Sequence, residues 1–255
     1  MKLCLVLDIG NTNMTIGMYA GTTLVRVWRI RTDRQMTADE LGLQLLALQQ
    51  GTDVADIKVA VCVISCVVPP MLSTAVRAAK TYFQVNPLVV GPGIRTGIPI
   101  RYEDPREVGA DRIANAVAVV HRQQSPAIIV DLGTATTLSV IDERGQYLGG
   151  AIAPGIGIAA QALFTNASRL PEVELNWPSQ LVQRNTVLGM QAGILFGAAA
   201  QVDGLVRRIC KECSLPFTVV ATGGLSSLLK GHVETVHLIE PYLTLEGLRL
   251  LAERN

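Results

Sequence analysis

Two short segments carry more polar chemistry than a chain reversal needs. Residues 8–13, "DIGNTN", follow an apolar run and offer a carboxylate, a glycine, two amides and a hydroxyl, where Asn-Gly or Asp-Gly alone would serve a tight hairpin. Residues 131–137, "DLGTATT", repeat the theme after a second apolar run. Glycine lets backbone N–H groups approach phosphate oxygens, and the hydroxyls and amides add donors. An aspartate at each tip can hold a hydrated cation that offsets phosphate charge. Two such tips facing one another would form a cleft fit for a nucleoside triphosphate. A third segment, "ATGG" at 221–224, ends a strand pattern in two glycines, where a flat adenine can lie against backbone; by itself it also reads as a plain strand-to-helix turn.

The elements that must position these residues recur. "LVLDIGNTNMTIGMY" and "IIVDLGTATTLSVID" align without a gap, Asp8 over Asp131 and Gly10 over Gly133, and each is followed by another strand pattern, "TTLVRVWRI" or "GQYLGGAIA". A supersecondary unit repeated half a chain apart predicts a duplicated α/β domain. Between the repeats, "TADELGLQLLALQQ" predicts an amphipathic helix capped by Thr37, with Asp39 and Glu40 in its first turn. "VAVCVISCVV" predicts a buried strand, "PPMLSTAVRAAKTYF" a helix with prolines at its start, and "PLVVG" a strand. Residues 105–124 predict a loop feeding a helix. In the second half, helices are predicted at 159–170, 186–213 and 244–255, and a strand over "FTVVATGG". Strands alternating with helices imply mostly parallel or mixed sheets covered by helices.

Composition narrows the function classes. With 255 residues, 49% of them hydrophobic and 17% charged, the chain has ample core for one large domain or two ordinary ones. A net charge of +1 and the lack of any dense Lys/Arg run argue against nucleic acid as a partner. Residues 59–72 form the longest apolar stretch, too short to span a bilayer and interrupted by Pro69-Pro70, so no membrane role is expected. Cys4, Cys62, Cys66, Cys210 and Cys213 are odd in number, and Met1-Lys2 runs straight into a strand pattern; a reducing cytoplasm fits. The C-x-x-C of Cys210 and Cys213 reads as small hydrophobes rather than half a metal site. His121, His232 and His237 lie outside every motif and read as structural or solvated.

In order along the chain, "DIGNTN", "ISCVVPP", "GADRIANAVA", "DLGTATT", "YLGGAIAPGI", "NTVLGMQAG" and "ATGGL" resemble the signature segments of type III pantothenate kinases. These belong to the superfamily of actin, sugar kinases and the large heat-shock ATPases. The resemblance runs from residue 6 nearly to the end of the chain. It implies an α/β fold of two ribonuclease-H-like domains, residues 1–115 and 116–255, with a nucleotide cleft between them. It also implies ATP-dependent phosphorylation of the terminal hydroxyl of pantothenate, the first step toward coenzyme A, with Asp111 as general base accepting the hydroxyl proton. Arg112 is then placed to clamp the pantothenate carboxylate or the transferring phosphoryl group.

By the same resemblance, Asp8, Ile9, Gly10, Asn11, Thr12, Asn13, Met14 and Thr15 form the first phosphate loop, with Asp8 reaching Mg²⁺ through water. Thr134, Gly223 and Gly224 contact ATP, and Asp131 binds a monovalent cation, K⁺ or NH₄⁺. Gly109, Ala110, Asp111 and Arg112 contact pantothenate, with Thr186 and Tyr102 closing the pocket, and a homodimer completes it. Without the resemblance, Asp8 and Asp131 read as caps of strand ends, and Asp111-Arg112 as an N-cap beside a solvated charge. The chain departs from the family at Leu138-Ser139, where Phe-Asp is common, and at Gln183-Arg184, where Gly-Lys is common. Two other functions fit the same motifs: a regulatory ATP-binding protein without kinase activity, and another small-molecule kinase or phosphatase on the same fold.

Overall fold

The structure, a computed structural model, describes residues 2–255. In chain order, β1 (Leu3–Ile9), β2 (Asn13–Ala20) and β3 (Thr23–Arg31) lead into α1 (Ala38–Gln50), β4 (Val59–Cys66), α2 (Pro69–Phe83), β5 (Leu88–Val89) and α3 (Ala110–His121). Then β6 (Ala127–Leu132), β7 (Ala135–Ile141) and β8 (Tyr147–Pro154) precede α4 (Ile156–Asn166), α5 (Thr186–Cys213), β9 (Thr218–Thr222), β10 (Leu238–Ile239) and α6 (Leu243–Arg254). The strands form two five-stranded sheets, ordered β3-β2-β1-β4-β5 and β8-β7-β6-β9-β10. In the first, β1 pairs antiparallel with β2 and parallel with β4; in the second, β6 pairs antiparallel with β7 and parallel with β9. Equal order and equal sense are what the repeated Asp-x-Gly units predicted.

In one respect the repeat differs from the gapless alignment. Asp8 pairs with Thr15 across the first hairpin, but Asp131 pairs with Thr137 across the second, whose turn is one residue shorter. Gly10 N–H donates to the Asn13 carbonyl, whereas Gly133 N–H donates to that of Ala135, each at 3.0 Å. A one-residue shift exchanges the faces of a strand, so the two second strands correspond only with a gap in the turn.

The first sheet is packed on both faces. Leu3, Leu5, Leu7 and Ile9 of β1 meet Leu41 and Leu45 of α1 and Met71, Ala75 and Ala78 of α2. The α1 start predicted at Thr37 is a full capping box: Glu40 N–H donates to Thr37 Oγ1 at 3.2 Å and Thr37 N–H to Glu40 Oε2 at 2.7 Å. On the opposite face, Leu245 of α6 and Val6 of β1 close over Gly17. The α6 helix also crosses α3 so tightly that a Cβ on Gly247 would sit 1.9 Å from the Ala114 carbonyl oxygen. Thr244 Oγ1 donates to Asn115 Oδ1 at 2.8 Å, and Arg122 is paired with Glu246.

Packing therefore groups the residues up to 122 with Leu243–Asn255, and Gln123–Tyr242 by themselves. A boundary after residue 115 falls inside the continuous α3, and the closing helix belongs with the first sheet. Sequence order cannot reveal on which sheet a terminal helix docks.

In the second unit, Ile128, Val130, Leu132, Leu138 and Val140 pack beneath Ile194, Leu195, Val202 and Val206 of α5. Buried Asp203 of α5 accepts from Thr235 N–H at 2.9 Å, Thr235 Oγ1 at 2.7 Å and Glu234 N–H at 3.1 Å. Burial alone would raise its pKa, but these donors outweigh it and hold the carboxyl below its usual range. They fasten the approach to β10, a strand too short to show in the sequence. Trp177 donates its Nε1–H to the Leu228 carbonyl at 2.7 Å and stacks on His232 at 3.6 Å, while His237 Nδ1 accepts from Val219 N–H at 2.9 Å. Both histidines are structural. Cys210 and Cys213 pack against this core, and burial in the first core pushes the Cys62 thiol up to about 12. Among the described residues no helix is long and apolar enough to cross a membrane.

Gly247→Ala tests the α3–α6 crossing, because the added methyl meets backbone that cannot rotate away. Urea unfolding is expected to show a loss of about 1–3 kcal/mol; an unchanged midpoint would mean that the helices separate freely.

Candidate functional site

At the first tip, only Gly10–Asn13 lie between the last paired residues of β1 and β2. Ile9 and Met14 are wholly buried in the first core, so of the eight residues expected to form the phosphate loop these two offer backbone groups only. Asn11 and Thr12 are exposed. The tip is braced from outside: Thr32 Oγ1 donates to the Gly10 carbonyl at 2.7 Å, and Thr32 N–H to that of Thr12 at 3.0 Å. Asp8 is half-buried, with Thr15 opposite it on β2 and Ser65 on β4. Register partners on adjacent strands share a face about 4.8 Å apart, so this carboxylate stands between two hydroxyl-bearing residues. The Ser65 hydroxyl is buried and has no hydrogen-bond partner.

The second tip repeats the arrangement. Asp131 has Thr137 on one side and Thr222 on the other, and the buried Thr222 hydroxyl is also without a partner. Gly223, in the left-handed region at φ +91, presses on the carboxylate: a Cβ there would lie 2.4 Å from Asp131 Oδ1 and 2.7 Å from the Leu132 amide nitrogen. Thr134 and Gly224 are exposed beside it. Gly155, just before α4, supports the turn from below, since a Cβ would meet the Thr134 carbonyl oxygen at 2.2 Å. At the Leu138-Ser139 departure, Leu138 enters the core and Ser139 Oγ lies 3.3 Å from Tyr147 Oη, both buried. A neutral hydroxyl pair thus occupies that part of the sheet.

The third group is at the start of α3. A short turn over Pro105–Glu107, capped by Asp104, delivers the chain to Gly109, the N-cap residue, with no side-chain cap. Asp111 is therefore inside the first turn rather than the cap. Its Oδ1 accepts from Arg112 N–H at 2.8 Å. Gly109 lies close beside it: a Cβ there would come within 2.5 Å of that oxygen. Arg112 is 7% exposed, so the solvated charge that a bland reading assigns it is not what the structure has. Ala110 is buried and Tyr102 half-buried in the preceding loop.

Thr186 is the first residue of α5, after Asn185, whose Oδ1 caps the helix by accepting from Leu188 N–H at 2.9 Å. It stands at the edge of an apolar groove of about 680 Å³ between α4 and α5, lined by Ile156, Leu163, Met190 and Ile194 with Gly189 and Gly193. Arg184 is exposed in the strap before α5.

Asp8, Thr15, Asp131 and Thr222 belong to the motifs of the sequence, and so do Ser65, in "ISCVVPP", and Thr137, in "DLGTATT". That Ser65 and Thr137 are companions of the aspartates shows only in the strand pairing.

A family model for type III pantothenate kinase matches residues 4–208. A type III pantothenate kinase of Brevibacillus brevis is 50% identical over 253 residues, 99% of this chain and 99% of that protein. Among solved structures, a Baf family transcriptional activator of Campylobacter jejuni aligns with a TM-score of 0.62 at 18% identity, covering 98% of this chain and 97% of that one. The activator of 2-hydroxyisocaproyl-CoA dehydratase of Clostridium difficile, with bound ADPNP, aligns at 0.57 and 17%, covering 98% and 94%. At such identities the structures share only the fold, that of the actin-like ATPases.

Gly223→Ala should cost about 2–4 kcal/mol in urea unfolding, combining left-handed strain with overpacking on Asp131. Gly224→Ala, its exposed neighbour, should stay within about 1 kcal/mol. Equal effects at both would show that Gly223 does not press on the carboxylate.

With a family model over most of its length and half its residues shared with a full-length relative, the chain belongs to the type III pantothenate kinases.

Proposed function

We propose that this chain transfers the γ-phosphoryl group of ATP to the terminal hydroxyl of pantothenate, the first step toward coenzyme A. The observation that supports it most directly is the start of α3, where a carboxylate and a buried guanidinium share one helical turn. Asp111 Oδ1 is occupied by the Arg112 N–H, which orients the carboxylate. Oδ2 is then the atom that takes the hydroxyl proton as the substrate oxygen attacks phosphorus. Arg112, near the positive end of α3, suits an anionic group of the substrate. Gly109, Ala110 and Tyr102 shape the same neighbourhood of the first unit, and in the second unit this reading gives Thr186, at the start of α5, a substrate contact.

In the first unit, the tip supplies backbone N–H groups and the side chains of Asn11 and Thr12 to phosphate oxygens, and Asp8 holds Mg²⁺ through water. Held there, Mg²⁺ would supply charge neutralisation for the phosphates. In the second unit, Thr134, Gly223 and Gly224 serve the nucleotide and Asp131 a monovalent cation. The residues present fit such an ion: a hard cation needs oxygens, and Asp131 is flanked by Thr137 and Thr222, the latter with an unpartnered buried hydroxyl.

The active form in this reading is a homodimer formed through α4 and α5. Ile152, Ile158 and Phe164 are 66%, 46% and 46% exposed, and Gly189, Gly193 and Gly197 leave open space where a second helix can approach. A second copy of the chain is the occupant that this apolar face suits. Sedimentation should give twice the chain mass, and Gly193→Arg should give the monomer; a monomeric wild type would remove this element of the reading.

The decisive assay is coupled ADP release with ATP and Mg²⁺, with and without pantothenate, in potassium and then sodium buffer. ADP release that needs pantothenate and rises in potassium is the expected result. In Asp111→Asn it should fall by about 100-fold or more while nucleotide binding persists. Phosphate release without pantothenate would favour a phosphatase, and nucleotide binding without turnover a regulatory protein.

A further inference from the structure

Ser65 and Thr222 stand at equivalent places in the two units. Each is on the strand that pairs parallel with the central one, β4 beside β1 and β9 beside β6. Each is in direct register with the tip aspartate, Ser65 with Asp8 and Thr222 with Asp131. Both are 0% exposed, and both hydroxyls lack any hydrogen-bond partner. A buried hydroxyl left unpaired is costly, and native chains seldom keep one without a use. Two of the buried unpaired hydroxyls stand at matched positions in the two units, each beside a tip aspartate. Structural demand does not account for them, since alanine or valine would fill the same space without the penalty.

The surroundings point to a small, oxygen-binding occupant. Each hydroxyl shares a sheet face with one carboxylate and, beyond it, with a further threonine, Thr15 or Thr137. In the second unit Gly223 keeps the space against Asp131 Oδ1 clear of any Cβ. A hydroxyl can accept from a cation's water and donate to the carboxylate at once, so it links the two without adding charge.

We propose that Ser65 and Thr222 are the second holding groups of two matched cation sites, in each of which a strand-end aspartate and the hydroxyl on the next parallel strand share one hydrated cation. The assignment of ions rests on the kinase reading above: Asp8 with Ser65 for the divalent ion, Asp131 with Thr222 for the monovalent one. Both hydroxyls are positioning groups, acting on the ion and its water rather than on the reacting atoms.

Thermal unfolding of the full chain tests this without turnover. Melting temperatures are measured against Mg²⁺ at fixed ADP, and separately against K⁺ with choline as the inert counterpart, for wild type, Ser65→Ala and Thr222→Val. With no ligand, both variants should melt at or above the wild-type temperature, because an unsatisfied group has been removed. Ser65→Ala should raise the Mg²⁺ midpoint about tenfold and leave the K⁺ midpoint alone, and Thr222→Val should do the reverse, as expected for loss of one charge-assisted contact. Wild-type midpoints in both variants would overturn the proposal, as would equal shifts for both ions. A lower melting temperature without ligand would overturn it too, by showing a structural partner for the hydroxyl. A wild type that responds to neither ion would instead defeat the cation assignments of the kinase reading, and this inference with them.

Discussion

Parallel pairing of β1 with β4, and of β6 with β9, is the constraint on which the rest of the molecule depends. A carboxylate at the end of a central strand is flanked on both sides by backbone, so its immediate chemistry is whatever the neighbouring strands present in register. Antiparallel hairpins supply one side locally, through Thr15 and Thr137. The other side comes only from a strand that returns after a helical crossover, bringing Ser65 and Thr222. A slip of one residue in either pairing would turn those hydroxyls to the opposite face and remove them from the aspartates.

Close backbone approach is the means by which this register is held. Gly17 lets Leu245 and Val6 close over the first sheet, Gly155 lies under the second tip, and Gly223 presses on Asp131. In each place a methyl group would meet backbone or a core side chain rather than a movable surface group. The glycines of the second tip and those in the packing thus follow one rule, that each sits where a side chain would not fit. The helix crossing at Gly247 extends it to α3, the helix whose first turn carries Asp111 and Arg112. Rigid packing behind that first turn keeps its carboxylate and guanidinium in fixed orientation.

The two units use the duplicated scaffold for different ends. Both keep the aspartate, the glycine and the two flanking hydroxyls, yet the turns differ by a residue, and their helices differ more. Where the first unit has the 13-residue α1 between its third and fourth strands, the second inserts α4, an irregular strap and the 28-residue α5. The insertion carries the apolar groove lined by Ile156, Leu163, Met190 and Ile194. Ser139 and Tyr147 show a similar divergence, with a neutral hydroxyl pair buried in the sheet beyond Asp131.

Much was legible from the residues. Periodicity and punctuation located α2 over 69–83 and α5 over 186–213 at their observed limits, because prolines and apolar spacing are local signals. The Asp-x-Gly repeat disclosed the duplicated sheet, and ordered motifs disclosed the family. Other features were out of reach for a physical reason: they arise between residues far apart in the chain. The one-residue difference between the hairpins appears only in strand register. Docking of α6 brings Leu245 over Gly17 of the first sheet and Gly247 against Ala114 of α3. The short β10 exists because β9 and the Asp203 anchor hold it. Sequence by itself determined which side chains are present and the local elements that carry them. Tertiary structure decided which of them share a face, since pairing between distant strands is set by the packing of whole sheets and not by any segment alone.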